Sequence, residues 1–214
     1  MAAQGGMSIQ AAIEVDLYLH VVTSGTALNQ GNAPDSQLAQ QVAVLNSDFA
    51  PQGIHFNLRG TDRTINSTWA NDIDPVAMRT ALRKGSYSAL NVYIEQSMPG
   101  LFGKCTYPTT ASPRNIITDG CAVLYSTLPG GTSTNFNLGK TLTHEVGHWF
   151  GLFHTFQGGC TGDGDFIADT PASNSTGRGC PETRDSCPND PGFDPVHNLM
   201  DYSIDKCYTG FSVS

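Results

Sequence analysis

The chain has 214 residues, enough for one substantial domain or two small subdomains sharing a core. Its net charge of −8, sequence pI of about 5.0 and lack of any Lys/Arg stripe argue against nucleic acid and anionic membrane surfaces as partners. Only 14% of residues are charged and no apolar run is long enough to span a membrane, so the composition is that of a globular protein with long neutral loops.

Residues 1–12 read as a loose lead-in. MAAQGGMSIQ has neither a basic n-region nor an apolar h-region, so it is not a signal peptide; if the protein is secreted, its signal and any pro-segment lie outside this sequence. Ile13, Val15, Leu17, Leu19 and Val21 then alternate with polar or ambivalent residues and predict a strand. Asp35 is a candidate N-cap, and Leu38, Val42 and Leu45 follow at helical spacing, giving a helix over 35–48. Ile54 to Leu58 reads as a second strand, 59–74 as a polar loop, and Pro75 opens a short helix running to Gly85. Leu90 to Ile94 is a third strand and Cys121 to Leu128 a fourth. The Gly/Pro-rich stretch 95–120 is expected to be a long loop, with room for a short edge strand near Lys104 to Tyr107. The order β-α-β-α-β-β lets the helices supply the crossovers that parallel pairs need. A further helix fits 138–150, ended by Gly151. Beyond 155 the regular signals fade into a stretch rich in Gly, Asp, Pro and Cys.

Six cysteines (Cys105, Cys121, Cys160, Cys180, Cys187 and Cys207) contain no CxxC pair. The last four occupy a segment without long apolar runs, which orders poorly unless cross-linked; this favours disulfides and an oxidising compartment over six buried thiols in a cytosolic protein. The sequons at Asn66 and Asn174 are candidate glycosylation sites and agree with secretion.

The chemistry is concentrated in HEVGHWFGLFH, from His144 to His154. Three imidazoles and a carboxylate in a greasy segment need a common partner, because burying an unpartnered polar group costs free energy. Residues four apart share a helix face, so His144 and His148 can point at one ion, with Glu145 one step round. Gly151 permits a sharp turn, after which His154 can swing back as a third ligand. Three neutral imidazoles leave one tetrahedral position for a water whose pKa zinc lowers to about 7, and Glu145 is placed to accept its proton. The bland alternative, a helix that merely carries histidines, leaves them unpartnered.

HEVGHWFGLFH resembles the extended zinc signature HExxHxxGxxH of the metzincin metalloproteases, and HNLMDYS (197–203) looks like their methionine turn. Within that group the chain is similar to the pappalysin family, and to its secreted fungal extracellular metalloproteinases in particular. The likeness is carried by LGKTLTHEVGHWFGLFHTFQGGC, ADTPA, GCPETRDSCP and DPVHNLMDYSIDKC, and it covers nearly the whole chain. The implied fold is α+β, α/β-like: a twisted, mixed, mostly parallel sheet with helices in an N-terminal subdomain (1–151), and a loop-rich, disulfide-bonded C-terminal subdomain (152–214). Together they would make one metalloprotease catalytic domain, 1–214.

The resemblance implies zinc on His144, His148 and His154, Glu145 as general base and acid, and Met200 as an apolar floor beneath the imidazoles. Tyr202 would steady the oxyanion of the tetrahedral intermediate; a Tyr packed in the core is the alternative. Asp205 would lie in the S1′ pocket and favour a basic P1′ side chain, or else cap loop backbone. Cysteine pairs Cys160–Cys187 and Cys180–Cys207 are implied, leaving Cys105–Cys121. TGDGDFIAD (161–169) invites a calcium reading through Asp163, Asp165, Asp169 and the Thr170 carbonyl, against that of a solvated turn. His197 is rejected as a fourth ligand because it would close the open position; it, His20 and His55 read as structural. The chain also stops at FSVS, where relatives usually continue into a further helix.

The expected function is therefore a secreted zinc endopeptidase acting on proteins or peptides, monomeric by default, holding an extended substrate against an edge strand. Its rivals are an inactive zinc-containing peptide-binding protein and a zinc hydrolase of non-peptide amides.

Overall fold

The alternation along the first strand makes it the hub of the sheet. In the computed structural model, which describes residues 12–174 and 179–212, β1 (Ile13–Thr23) lies between β2 (Ile54–Ile65) and β3 (Leu90–Glu95) and is parallel to both. The lead-in at 1–11, positions 175–176 of the second sequon and the last two residues of FSVS lie outside the described residues. The five-stranded sheet has the order β2-β1-β3-β5-β4. β5 (Cys121–Leu124) runs parallel to β3, while β4 (Gly103–Cys105) is antiparallel to β5 and forms the other edge.

Each face of the sheet has its own core. Val15, Leu17, Leu19 and Val21 point to the face covered by α1 (Asp35–Phe49) and α4 (Lys140–Trp149), where Leu38, Leu45, Phe49, Leu142 and Val146 are buried with them. Val22, Tyr93 and Ala122 belong to the opposite face, where Met78 of α2 (Pro75–Leu82) packs. α2 also contacts α3 (Pro113–Thr118). The first core holds α4 in place, and polar ties fix its axial position. Gln41 of α1 donates to the Gly139 carbonyl, and Asp48 accepts from both Lys140 Nζ (2.6 Å) and Thr143 Oγ1 (2.7 Å).

The structure corrects the sequence reading in five places, the first being the helix from Pro75, which ends at Leu82 and not at Gly85. Residues 59–65, read as loop, continue β2. This half of β2 is an edge paired only with β1, so its outward residues are solvated and no apolar alternation marks it. The stretch 95–120 contains α3, started by Ser112, whose side chain accepts from Asn115 N, with Pro113 at the first helical position. The strand expected over 121–128 ends at Leu124 and gives way to a 3₁₀ turn, Tyr125–Thr127. The edge strand starts one residue earlier than expected and is shorter, Gly103–Cys105.

Past residue 151 the described residues form no strand or α-helix, only 3₁₀ turns at Gly159–Thr161 and Asp205–Cys207 and an isolated bridge from Asn198 to Gly210. Disulfides Cys160–Cys187 and Cys180–Cys207 staple this part, and Cys105–Cys121 joins β4 to β5, the same pairs that the resemblance implies. Each 27-residue separation corresponds to about 3–4 kcal/mol in the loop-closure picture. Arg184 adds a polar hub: Nε donates to Asp194 (2.7 Å) and Nη2 to both oxygens of Asp201 (3.0 and 3.2 Å). Both carboxylates are fully buried, so removing the guanidinium would leave them uncompensated. His197 Nδ1 donates to the Cys207 carbonyl, His20 bonds Asp62 and Asn91, and His55 meets Glu14 at the surface, all structural roles.

Leu45 is wholly buried between α1 and the sheet. Leu45→Ala should cost about 2–5 kcal/mol, measured by urea unfolding with disulfides intact. A loss under about 1 kcal/mol would contradict this packing.

Candidate metal centre and substrate cleft

Helix α4 is buried on nearly all sides, Leu142 to His148, because the sheet covers one flank and the C-terminal loops the other. It ends where Gly151 takes φ of +98°, a left-handed conformation that suits glycine. The chain then reverses, with Leu152 N bonded back to the Gly147 carbonyl at 3.0 Å. That reversal carries His154 to the face already occupied by His144 and His148. Nε2 of His154 stands 3.2 Å from Nε2 of His144 and 3.0 Å from that of His148. Three nitrogens about 2.0–2.1 Å from a tetrahedral zinc would stand about 3.3 Å apart, so the donor set fits one such ion.

The opposite ring nitrogens explain why the Nε2 atoms converge. His144 Nδ1 donates to the Leu199 carbonyl and His148 Nδ1 to the Leu152 carbonyl, each at 2.7 Å. These bonds fix the tautomer and leave Nε2 lone pairs facing one another. The hydroxyl of Tyr107 lies 2.9 Å from the same His148 Nδ1. Burial, then the neighbouring imidazoles, push His144 down to about 3, opposed by the Leu199 carbonyl. Burial and His148 push His154 down to about 4, and burial lowers His148. All three are thus held neutral, the form a metal requires.

Glu145 is buried beside His144, and burial pushes its carboxyl up to about 8 against one hydrogen bond from the Cys105 backbone. Gly103 makes this proximity possible: a Cβ there would stand 2.6 Å from Glu145 Cγ. Edge strand β4 therefore runs directly over the carboxylate. Below the imidazoles, Met200 is buried, and a Cβ on Gly147 would stand 2.4 Å from its Sδ. The peptide of Met200 accepts from Thr155 N, while Leu199 holds His144, so one turn supports both sides of the group.

Tyr202 is half-exposed in the cleft and not in the core, its ring edge-on to His154 at 4.7 Å between centroids. The cleft beside Glu145 has a volume of about 660 Å³. Leu101, Phe102 and Phe136 wall it, and Asp205 lies among its lining residues. Asp205 is 2% exposed and accepts from Leu138 N at 2.8 Å and from Lys140 N, so it caps the start of α4; burial pushes it up to about 6.

Asp163, Asp165 and Asp169 form no ion-sized group among the described residues. Asp165 accepts from Ile167 N and Thr170 in a tight turn. Among the described residues, the His144, His148 and His154 set is the one ion-sized group with free donors, since the other, Cys160, Cys187 and Asp190, contains a disulfide. Sequence reasoning missed Gly103, Gly147, Tyr107 and Arg184. Gly147 lay inside the motif, but its contact with Met200 joins segments more than fifty residues apart.

The family described as Peptidase_M43, pregnancy-associated plasma protein-A, matches residues 82–214. An extracellular metalloprotease of Colletotrichum graminicola is 60% identical over 209 residues, covering 97% of this chain and 75% of its own length. Extracellular metalloprotease 1 of Coccidioides posadasii is 53% identical over 206 residues, 95% of this chain and 74% of its own. Among solved structures, mirolysin in complex with compound 9 superposes with a TM-score of 0.81 at 28% identity, covering 95% of this chain and 88% of that one. Mature mirolysin of Tannerella forsythia in complex with a cleaved peptide gives 0.76 at 27% identity, with 94% and 88% covered.

For the protein in chelator, the folded value of His144, about 3, lies below its unfolded value of about 6.5. The unfolded state then binds the extra proton between those limits, so stability falls as pH drops through that window. Relative to His144→Asn, the wild type should lose up to about 1.4 kcal/mol more per pH unit, read from urea unfolding at stepped pH. Parallel pH profiles would show that His144 is not buried neutral.

Proposed function

The chain belongs to the Peptidase_M43 (pappalysin) family and is a metalloendopeptidase, and we propose that it is a secreted zinc enzyme whose centre is His144, His148 and His154 with Glu145 as general base. The observation that carries this reading is the convergence of the three Nε2 atoms while carbonyl oxygens hold Nδ1 of His144 and His148. Relatives described as extracellular and three disulfides support secretion. The catalytic domain is one unit, 1–214, whose parts 1–151 and 152–214 meet at the cleft.

Zinc held by the three imidazoles would supply a Lewis acid for the scissile carbonyl and lower the pKa of an attacking water. The substrate lies extended along β4, the strand at this edge of the sheet. Glu145 takes a proton from the attacking water at its carboxylate and passes it to the leaving amine. Burial raises the Glu145 carboxyl above the ordinary carboxylate range, the direction that makes it a stronger base. Gly103 and the Cys105 N–H hold that carboxylate against the substrate strand. The Tyr202 hydroxyl donates to the oxyanion of the tetrahedral intermediate, and Met200 keeps the floor of the site apolar and filled. The Glu145 carboxylate, which a passive peptide-binding site would not need, favours hydrolysis over mere capture.

A long P1′ side chain would rest its apolar stem against Leu101, Phe102 and Phe136, with Asp205, among the same lining residues, as partner for a cationic head.

Two measurements test this. Glu145→Gln should lower casein digestion by at least about 10³-fold while leaving zinc uptake at one equivalent; digestion within tenfold of wild type would remove Glu145 from the mechanism. Dialysis against a chelator should abolish activity, and one equivalent of zinc should restore it. For specificity, Asp205→Asn should reduce the preference for Arg over Leu at P1′ by about tenfold in a peptide series, and an unchanged ratio would exclude the carboxylate from recognition.

A further inference from the structure

The cleft containing Asp205 lies on one side of the imidazoles. The other side carries three aromatic side chains in a row. The ring of Tyr107 is 5.1 Å from that of His148 and 5.4 Å from that of Phe153, and Phe153 is 5.8 Å from Phe166. They come from three separate segments: the chain leaving β4, the turn before His154, and the acidic loop. None of these contacts buries the row. Tyr107 is 41% exposed and Phe166 is 69% exposed.

Phe166 carries a second cost besides exposure. Its φ is +64°, in the left-handed region that bulky side chains avoid. Glycine at this position would relieve both the strain and the exposed apolar surface. A strained backbone and an outward aromatic ring beside a catalytic centre point to a binding role.

The direction of β4 identifies the occupant. β4 begins at Gly103, over Glu145 and beside the Asp205 cleft, and the chain continues from Cys105 to Tyr107 beside His148. A substrate pairing antiparallel to β4 therefore crosses Tyr107 before it reaches Glu145. Its residues C-terminal to the scissile bond enter the Asp205 cleft, and those N-terminal to it lie towards Tyr107, Phe153 and Phe166. Resting on the proteolytic reading above, we infer that these three rings form a shelf that receives a large apolar side chain on the N-terminal side of the scissile bond. Exposed Asp163 and Asp169 belong to the same loop as Phe166, so acidic neighbours in the substrate are disfavoured.

The test uses peptides identical C-terminal to the scissile bond, with Phe, Leu or Gly placed in turn at successive positions N-terminal to it. At one of these positions kcat/KM for Phe should exceed that for Gly by about tenfold or more. Phe166→Ala should reduce that ratio to about twofold or less, and Phe166→Leu should retain most of it. Ratios among peptides varied only C-terminal to the bond should stay the same in both variants. A wild-type ratio near one at every position, or an unchanged ratio in Phe166→Ala, overturns the shelf while leaving proteolysis intact. Failure of the wild type to cleave any peptide, or casein, overturns both readings.

Discussion

Two hydrogen bonds made by the far sides of imidazole rings govern this structure. His144 and His148 each give Nδ1–H to a backbone carbonyl, and that gift decides where the other nitrogen looks. Both acceptors come from irregular chain, Leu199 in the methionine turn and Leu152 in the reversal after α4. The fold is thereby obliged to bring the C-terminal loops up to the helix and hold them there. Without those loops the helix would bury two polar rings against nothing.

The division of labour follows from this. Sheet and helices supply rigidity, through a core on each face and polar ties between α1 and α4. The loops supply position, and since they lack a core they need other supports. Disulfides constrain their unfolded forms, while Arg184 clamps Asp194 and Asp201, the latter between Met200 and Tyr202 in sequence. Two glycines set the closest approaches. Gly147 lets the methionine turn come under the helix, and Gly103 lets the edge strand pass over Glu145. A methyl group at either would push apart surfaces whose spacing defines the site.

Much of this was legible in the sequence because it is local. Alternation marks β1, helical spacing marks α1, and the interval from His144 through Gly151 to His154 describes the turn that gathers the three imidazoles. What stayed hidden depends on distant partners. The outer half of β2 looks like polar loop because one side of it meets water. The role of Arg184 depends on carboxylates ten and seventeen residues away, buried by loops that no periodicity describes. Asp205 was open between pocket and cap; it bonds Leu138 N and Lys140 N at the start of α4 and also lines a cleft whose walls come from three other parts of the chain.

The two C-terminal disulfides overlap along the chain: the loop closed by Cys160 and Cys187 shares residues 180–187 with the loop closed by Cys180 and Cys207. A protease is exposed to its own kind, and its unstructured stretches are where cutting begins. Interlocked in this way, the segment can suffer a single scission inside either ring and still keep its severed ends tethered beside the three imidazoles. Damage of that sort would go unseen on a non-reducing gel and would be revealed only after thiol treatment, so catalytic lifetime and backbone continuity are separable properties of this molecule.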